Sequence, residues 1–197
     1  MDDEAGNVSD EALALRARAG DRQAFASLVR RHQDRVFAFL VHLLGTRDEA
    51  VELTQDSFLK AWNALPTWQP EARWSTWLFQ IARNTAFDLL RRRQRVEFVP
   101  LDTDSVDEVP DTATPPPETL LDSRQRLGLL ERALATLPAE QREILLLREL
   151  EDLSYAELGA LLRINEGTVK SRLARARVAA LAQYRRLAGE HPDDRSS

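Results

Sequence analysis

The sequence predicts an all-α protein: two small helical domains joined by an acidic, proline-rich linker. Three observations carry that expectation. Apolar residues recur at three- and four-residue spacing along most of the chain, with Ser, Thr or Asp standing as N-caps ahead of the runs. Gly is scarce, at seven of 197 residues, and most of the nine Pro are clustered, which leaves few sites for strands and tight turns. Charge is also segregated: residues 96 to 119 hold Glu97, Asp102, Asp104, Asp107, Glu108, Asp111 and Glu118 and no Lys or Arg, whereas basic residues crowd 73 to 95 and 167 to 186. The formal net charge of −5 is therefore an average over two basic patches and an acidic strap.

Composition excludes several classes. There is no Cys, so disulfides and thiolate metal sites are absent, and the three His (His32, His42, His191) show no ligand spacing with carboxylates. No apolar run is long enough for a membrane span, and the acidic start MDDEAGNVSDEALAL is not a signal peptide. The expectation is a cytoplasmic protein without metal or cofactor.

Taken in order, residues 1 to 8 read as disordered. Ser9 caps a helix that runs to Ala19 and stops at Gly20. Asp21 caps a long amphipathic helix with Phe25, Leu28, Val29, Val36, Phe39, Leu40 and Leu43 on its apolar face, ended by Gly45. Thr46 to Glu49 reads as a capping box for a third helix, which Pro66 stops. Val51, Thr54, Phe58, Ala61, Trp62 and Leu65 form its expected core side. Its opposite face holds Glu52, Asp56, Lys60 and Asn63, flanked by Leu53, Gln55 and Leu59. Helix geometry alone leaves that face open between a partner surface and a solvated one.

All four Trp lie between positions 62 and 77. Trp74 and Trp77 open a fourth helix, WSTWLFQIARNTAFDLLRRRQR, that ends in Arg91, Arg92, Arg93 and Arg95. Rings beside cations suit a surface for single-stranded nucleic acid, where bases stack and charge tracks the backbone. Trp62, Trp74 and Trp77 read as core. Trp68, in a loop between Pro66 and Pro70, reads as the ring that touches a base.

The linker, residues 96 to 119, spans up to about 80 Å if extended. That is enough to separate two DNA-reading domains by two turns of about 34 Å each. Its acidity also fits a chain lying in a basic channel that later holds nucleic acid. Beyond it, residues 120 to 136 form a helix stopped at Leu137-Pro138. Pro138 begins another, with Glu140 and Glu143 in its first turns, where the macrodipole favours carboxylates, and Ile144, Leu145, Leu147 and Leu150 apolar.

Ser154 to Arg177 is the most informative stretch. Ser154 and Glu157 complete a capping box ahead of Leu158, Leu161 and Leu162; Arg163-Ile164-Asn165 forms a polar turn; and a second helix carries Val169, Leu173 and Ala176 on one face and Lys170, Ser171, Arg172, Arg175 and Arg177 on the other. Two helices about a tight turn, the second densely basic outside, is how a helix-turn-helix reads the major groove. An ordinary helical hairpin with a solvated basic face is the alternative. Residues 188 to 197 read as a frayed tail.

Four stretches together resemble one family: DEAVELTQDSFLKAWNAL, WSTWLFQIARNTAFDLLRRR, LPAEQREILLLRELEDLSYAELGALL and EGTVKSRLARAR, in that order and spacing. The chain resembles an extracytoplasmic-function (ECF) sigma factor of bacterial RNA polymerase, over about residues 20 to 95 and 120 to 187. The resemblance implies a first domain, 9 to 95, that binds the polymerase clamp through Leu53, Gln55, Asp56 and Leu59. That domain would also capture a flipped −10 base with Trp68, Gln80, Ile81 and Asn84, beside Arg73 and Arg83, the unstacking cost of a few kcal/mol being offset by ring and amide contacts. It implies a second domain, 120 to 187, that grips the polymerase flap and reads the −35 element with Glu166, Thr168, Lys170, Ser171, Arg172, Arg175 and Arg177. An anti-sigma partner is implied too. One departure stands out: the family's turn commonly has Gly where this chain has Arg163 and Pro where it has Asn165, so the expectation includes a reshaped turn.

Two rival readings are weaker. A stand-alone regulator that binds duplex DNA usually dimerises to read paired half-sites, and no dimerisation helix is visible. A nucleic-acid enzyme lacks its parts: there is no P-loop, no Cys and no His-rich cluster.

Overall fold

The computed structural model describes residues 8–96 and 118–189, with side chains for 8–95 and 124–189. Expectations about disorder at 1 to 7, the course of the acidic linker and the tail beyond Gly189 lie outside the described residues. The elements are α1 (Asp10–Arg18), α2 (Arg22–Leu44), α3 (Arg47–Ala64), a 3-10 turn (Leu65–Thr67), α4 (Trp74–Val96), α5 (Glu118–Ala135), α6 (Ala139–Glu149), α7 (Tyr155–Leu162) and α8 (Glu166–Ala188). Among the described residues there is no strand.

Local chemistry sets most of these boundaries. Ser9 accepts a hydrogen bond from the Ala12 N–H at α1, Asp21 accepts from the Gln23 and Ala24 N–H groups at α2, and Gly45 ends α2 in the left-handed region at φ 78°. Thr46 departs from the expected box. Its side chain makes no cap bond; the hydroxyl donates to Glu49, whose carboxylate also pairs with Arg93 of α4. A tertiary ion pair has taken over the carboxylate that a capping box needs.

The first four helices pack around α2, which touches α1, α3 and α4. Its buried face follows the expected period and adds His32. His32 Nε2 lies 2.7 Å from Asp10 Oδ2, and Arg31 donates to Asp10 and to the Val8 carbonyl, so α1 is stapled to α2 by a small polar cluster. Phe39 meets Phe79 edge to face at 5.5 Å, an arrangement that adds to the area both rings bury.

The face of α3 corrects the sequence reading. Ala50, Leu53, Ser57, Phe58 and Ala61 point inward, while Val51 is 44% exposed. The apolar arc is centred on the small residues Ala50 and Ala61, which let α2 approach. Val51 falls on its edge, and Leu53, expected outside, is buried.

The second group has an aliphatic core from Ala133 and Leu137 through Ile144 to Leu147 of α6, Leu153, Leu158, Leu161, and Val169, Leu173 and Ala176 of α8. The helix-turn-helix turn is not reshaped. Arg163 adopts the left-handed conformation, φ 57° and ψ 45°, and Asn165 serves as N-cap of α8, accepting from the Thr168 N–H at 2.8 Å. The close approach is made by Gly159: a Cβ there would lie 2.9 Å from the Ile164 carbonyl oxygen. The two groups touch each other, α6 lying on α2 and α7 on α4.

Candidate nucleic-acid interface

The outer face of α4 carries most of the residues expected at the −10 element. Trp74, Leu78, Phe79, Ala82, Ala86 and Phe87 face the core, which turns Gln80, Ile81 and Arg83 to a half-buried edge and Asn84 to solvent. Arg83 lies over the Phe87 ring at 4.4 Å and donates to Asn84 Oδ1 at 3.3 Å. Stacking and a neighbouring amide hold its guanidinium in one place.

Trp68 is a correction. It is 1% exposed, meets Trp74 edge to face at 5.9 Å, and its carbonyl accepts from Arg18 at 3.1 Å. The 3-10 turn at Leu65–Thr67 curls the chain back so that the indole enters the seam between α1 and α4, and its N–H finds no protein acceptor. Flanking prolines do not keep a ring in solvent when a neighbouring helix can cover it. Trp62 and Trp77, expected as core, are half-buried at its rim.

Neither arginine of this face is unengaged. Arg83 makes a bidentate pair with Glu143 of α6, at 2.7 and 3.2 Å, and Arg73 meets Glu157 of α7 at 3.1 Å. The Thr76 hydroxyl donates to the same Glu157 oxygen at 3.0 Å. Burial pushes the Glu143 carboxyl up, with Arg83 opposing the shift. Burial also acts to raise Glu157, but Ser154, Thr76 and Arg73 together hold it below the usual carboxylate range. Two further contacts join the groups: Arg35 to the buried Glu151 at 2.6 Å, and Arg142 donating to the Leu43 carbonyl at 2.9 Å at the end of α2. None of these cross-contacts was legible in the sequence: Glu143 and Glu157 also fit local roles as helix-start and capping carboxylates, and Glu151 stands in the loop between α6 and α7 without a local pattern.

On α8, Val169, Leu173 and Ala176 are buried, so Lys170, Ser171 and Arg175 project outward and Arg172 sits half-buried. Glu166 is exposed in the first turn. Thr168 is spent on the cap, its hydroxyl donating to Asn165 Oδ1 at 3.0 Å. Arg177 pairs with Glu149 of α6 at 2.6 Å, both exposed.

Two apolar hollows complete the surface. Gln55, Asp56 and Leu59 lie on the outer side of α3, with Leu59 60% exposed beside a shallow cavity of about 450 Å3 that Arg22, Phe25, Phe58 and Trp62 also line. A larger groove of about 720 Å3 runs between α5, α6 and α8, where Leu127, Leu130, Leu150, Leu181 and Tyr184 leave apolar surface uncovered. Among the described residues no group of His, Asp and Glu has metal-holding geometry.

Residues 28–96 match the family model "Sigma-70 region 2" and residues 127–179 match "Sigma-70, region 4". The chain is 39% identical over 162 residues to the ECF RNA polymerase sigma factor SigE of Mycolicibacterium smegmatis, covering 80% of this chain and 62% of that one. It is 33% identical over 180 residues to the ECF RNA polymerase sigma-E factor of Haemophilus influenzae, covering 88% and 94%. Among solved structures, CnrH in complex with the cytosolic domain of CnrY superposes with a TM-score of 0.66 at 26% identity, over 88% of this chain and 95% of that one. The sigma factor RpoE of Bartonella quintana, in complex with the anti-sigma factor NepR, gives 0.66 at 27%, over 87% and 98%.

Proposed function

The chain belongs to the ECF family of RNA polymerase sigma factors, and from that premise we propose how its surfaces divide the work of a promoter-recognition subunit without chemistry of its own, acting in the cytoplasm. The group α1–α4 takes the −10 element with Gln80, Ile81, Asn84, Arg73 and Arg83 and meets the polymerase clamp with Gln55, Asp56 and Leu59. The group α5–α8 reads the −35 element from α8. There Lys170, Ser171, Arg172 and Arg175 face the groove, Arg bidentate to guanine being worth about 1–3 kcal/mol of discrimination and Lys and Ser holding phosphates.

The observation that carries this reading is the orientation of α8: Val169, Leu173 and Ala176 are buried beneath it, and its first turns hold Lys170, Ser171 and Arg175 out to solvent. The groove of α5, α6 and α8 supplies the apolar surface that a flap contact needs. An anti-sigma partner is proposed on the same premise, since two structures of similar proteins are complexes with the cytosolic domain of CnrY and with NepR. No described helix is long and apolar enough to cross a membrane.

Run-off transcription with bacterial core polymerase on fragmented genomic DNA from the source organism tests the proposal. Specific transcripts that require this chain support it, and their 5′ ends define both promoter elements. Duplex binding by the chain alone, with no such transcripts, would overturn it in favour of a stand-alone regulator.

A further inference from the structure

The residue before α4 is Arg73, which has no side-chain oxygen to accept the free N–H groups that open a helix. The acceptor comes from α1 instead. The Trp74 N–H donates to Glu11 Oε1 at 3.3 Å, a carboxylate placed where the macrodipole of α4 favours one. Seven residues on, two turns further along α1 and about 10 Å away, Arg18 donates to the Trp68 carbonyl at 3.1 Å. That carbonyl ends the 3-10 turn, with Trp68 in extended backbone at ψ 135°. Between these two held points lies the loop 69–73, all of it exposed, its turn closed by a bond from the Ala72 N–H to the Gln69 carbonyl.

We propose that α1 is a brace for the −10 surface: Glu11 and Arg18 are positioning residues that fix both ends of the 69–73 loop, so Arg73 and the first turn of α4 are already set when the −10 strand arrives. This rests on the reading of α4 and its approach as the −10 surface. On its other side the brace is anchored to α2. Asp10 meets Arg31 at 2.8 Å and His32 at 2.7 Å, and Leu13, Ala14 and Ala17 are buried. A helix of nine residues is too short to stand alone in water, so α1 keeps its shape by docking. Packing of Trp68 on Trp74 fixes where the indoles sit, but not the direction in which the backbone leaves Trp68 or enters α4. The two bonds from α1 do that, because each ends on a main-chain group. A loop ordered beforehand avoids the loss of freedom that binding would otherwise impose.

The whole chain has no native Cys, so Glu71→Cys places a unique nitroxide on the loop, and Gln94→Cys places one at the far end of α4 as a reference. Arg18→Met and Glu11→Met keep the stem and remove the bonding atoms. Each should sharpen the spectrum of the loop label and leave the reference label unchanged. Arg16→Met, whose partner is Asp21 at the start of α2, should move neither. Opening is read in holoenzyme with core polymerase, on a promoter mapped by the run-off transcripts and carrying 2-aminopurine in its −10 element. Arg18→Met and Glu11→Met should each slow opening at saturating enzyme about tenfold, the equivalent of one hydrogen bond to a charged group. Arg18→Lys, which restores a donor, should recover most of the rate, and binding of a −35 duplex should not change. A loop label that stays still in both Met variants, moves as much with Arg16→Met, or moves together with the reference label overturns the brace. So does a freed loop label with opening at the wild-type rate while Asn84→Ala slows it. If Asn84→Ala also opens at the wild-type rate, the −10 reading fails instead.

Discussion

The two basic helices of this chain differ in what covers them. On α4 and its approach, Arg83 and Arg73 face carboxylates of the other helical group; on α8, Lys170, Ser171 and Arg175 face solvent. Both helices are 23 residues long, both end in arginines, and both bury an apolar stripe. The difference comes from their neighbours: Glu143 and Glu157 project from α6 and α7 towards α4, away from the outer face of α8. Availability of a basic surface is thus a property of packing, whereas its existence is a property of composition.

The cores beneath the two helices differ as well. Under α4 lie two edge-to-face aromatic pairs, Phe39 with Phe79 and Trp68 with Trp74; under α8 lie Val169, Leu173 and Ala176 against leucines, with an open groove alongside. Trp74→Ala should cost about 3–5 kcal/mol in urea unfolding and Leu173→Ala about 2–5 kcal/mol. Equal, near-zero losses would mean that neither stripe anchors its helix.

A sharper comparison is functional. Arg175→Ala should weaken binding to a −35 duplex by about 1–3 kcal/mol and reduce the salt slope by about one. In wild type, Arg83→Ala should leave that duplex binding unchanged. If Arg83→Ala weakens −35 binding as strongly as Arg175→Ala, the division between the helices is broken.

The groups also differ in acid response. Burial holds His32 below its usual value despite Asp10 beside it, and Asp10, though burial acts to raise it, is held low by Arg31 and His32. For a histidine with a lowered folded value the unfolded chain binds the extra proton first. Stability from His32 is therefore full above about pH 6.5 and is lost as pH falls below it, with a slope of at most about 1.4 kcal/mol per pH unit. Asp10 loses its share further down, below the unfolded carboxylate value. Glu143 has the opposite sign: its raised value favours the folded state at low pH and is no source of acid lability. His32→Gln should flatten the fall between pH 6.5 and 5 in pH-dependent denaturation of the whole chain; an unchanged profile would falsify the assignment.

The smallest expected effect is in the turn before α8. Arg163→Gly should relieve left-handed strain by no more than about 1 kcal/mol, part of which the looser unfolded chain takes back. Gly159→Ala should destabilise instead, because its Cβ has no room beside the Ile164 carbonyl. Thermal melts of both variants check the opposite signs.

Much of the fold was legible residue by residue. Ser9, Asp21, Gly45, Ser154 with Glu157, and the stripe Val169–Leu173–Ala176 all work as their local chemistry dictates. Residues read from one helix at a time were less secure. Leu53 looked like a flank of the outer face and is buried, because Ala50 and Ala61 centre the arc. Trp68 looked exposed between prolines and is covered by α1, an element some fifty positions away in sequence. Glu157 looked like a cap, which it is, and also holds Arg73 and Thr76 across the molecule.

The sequence by itself determined the helices, most of their caps and the basic face of α8, since these depend on neighbours within a turn or two, where side-chain spacing and backbone donors decide the outcome; the cap at Thr46, whose Glu49 a distant arginine takes, is the exception. Only the tertiary structure decided which indole is buried, which carboxylates meet α4 and where an apolar groove stays open. Those depend on which surface of one helix another removes from water, and a carboxylate that can serve as a cap or as an ion-pair partner carries no mark of that choice in its own stretch of sequence.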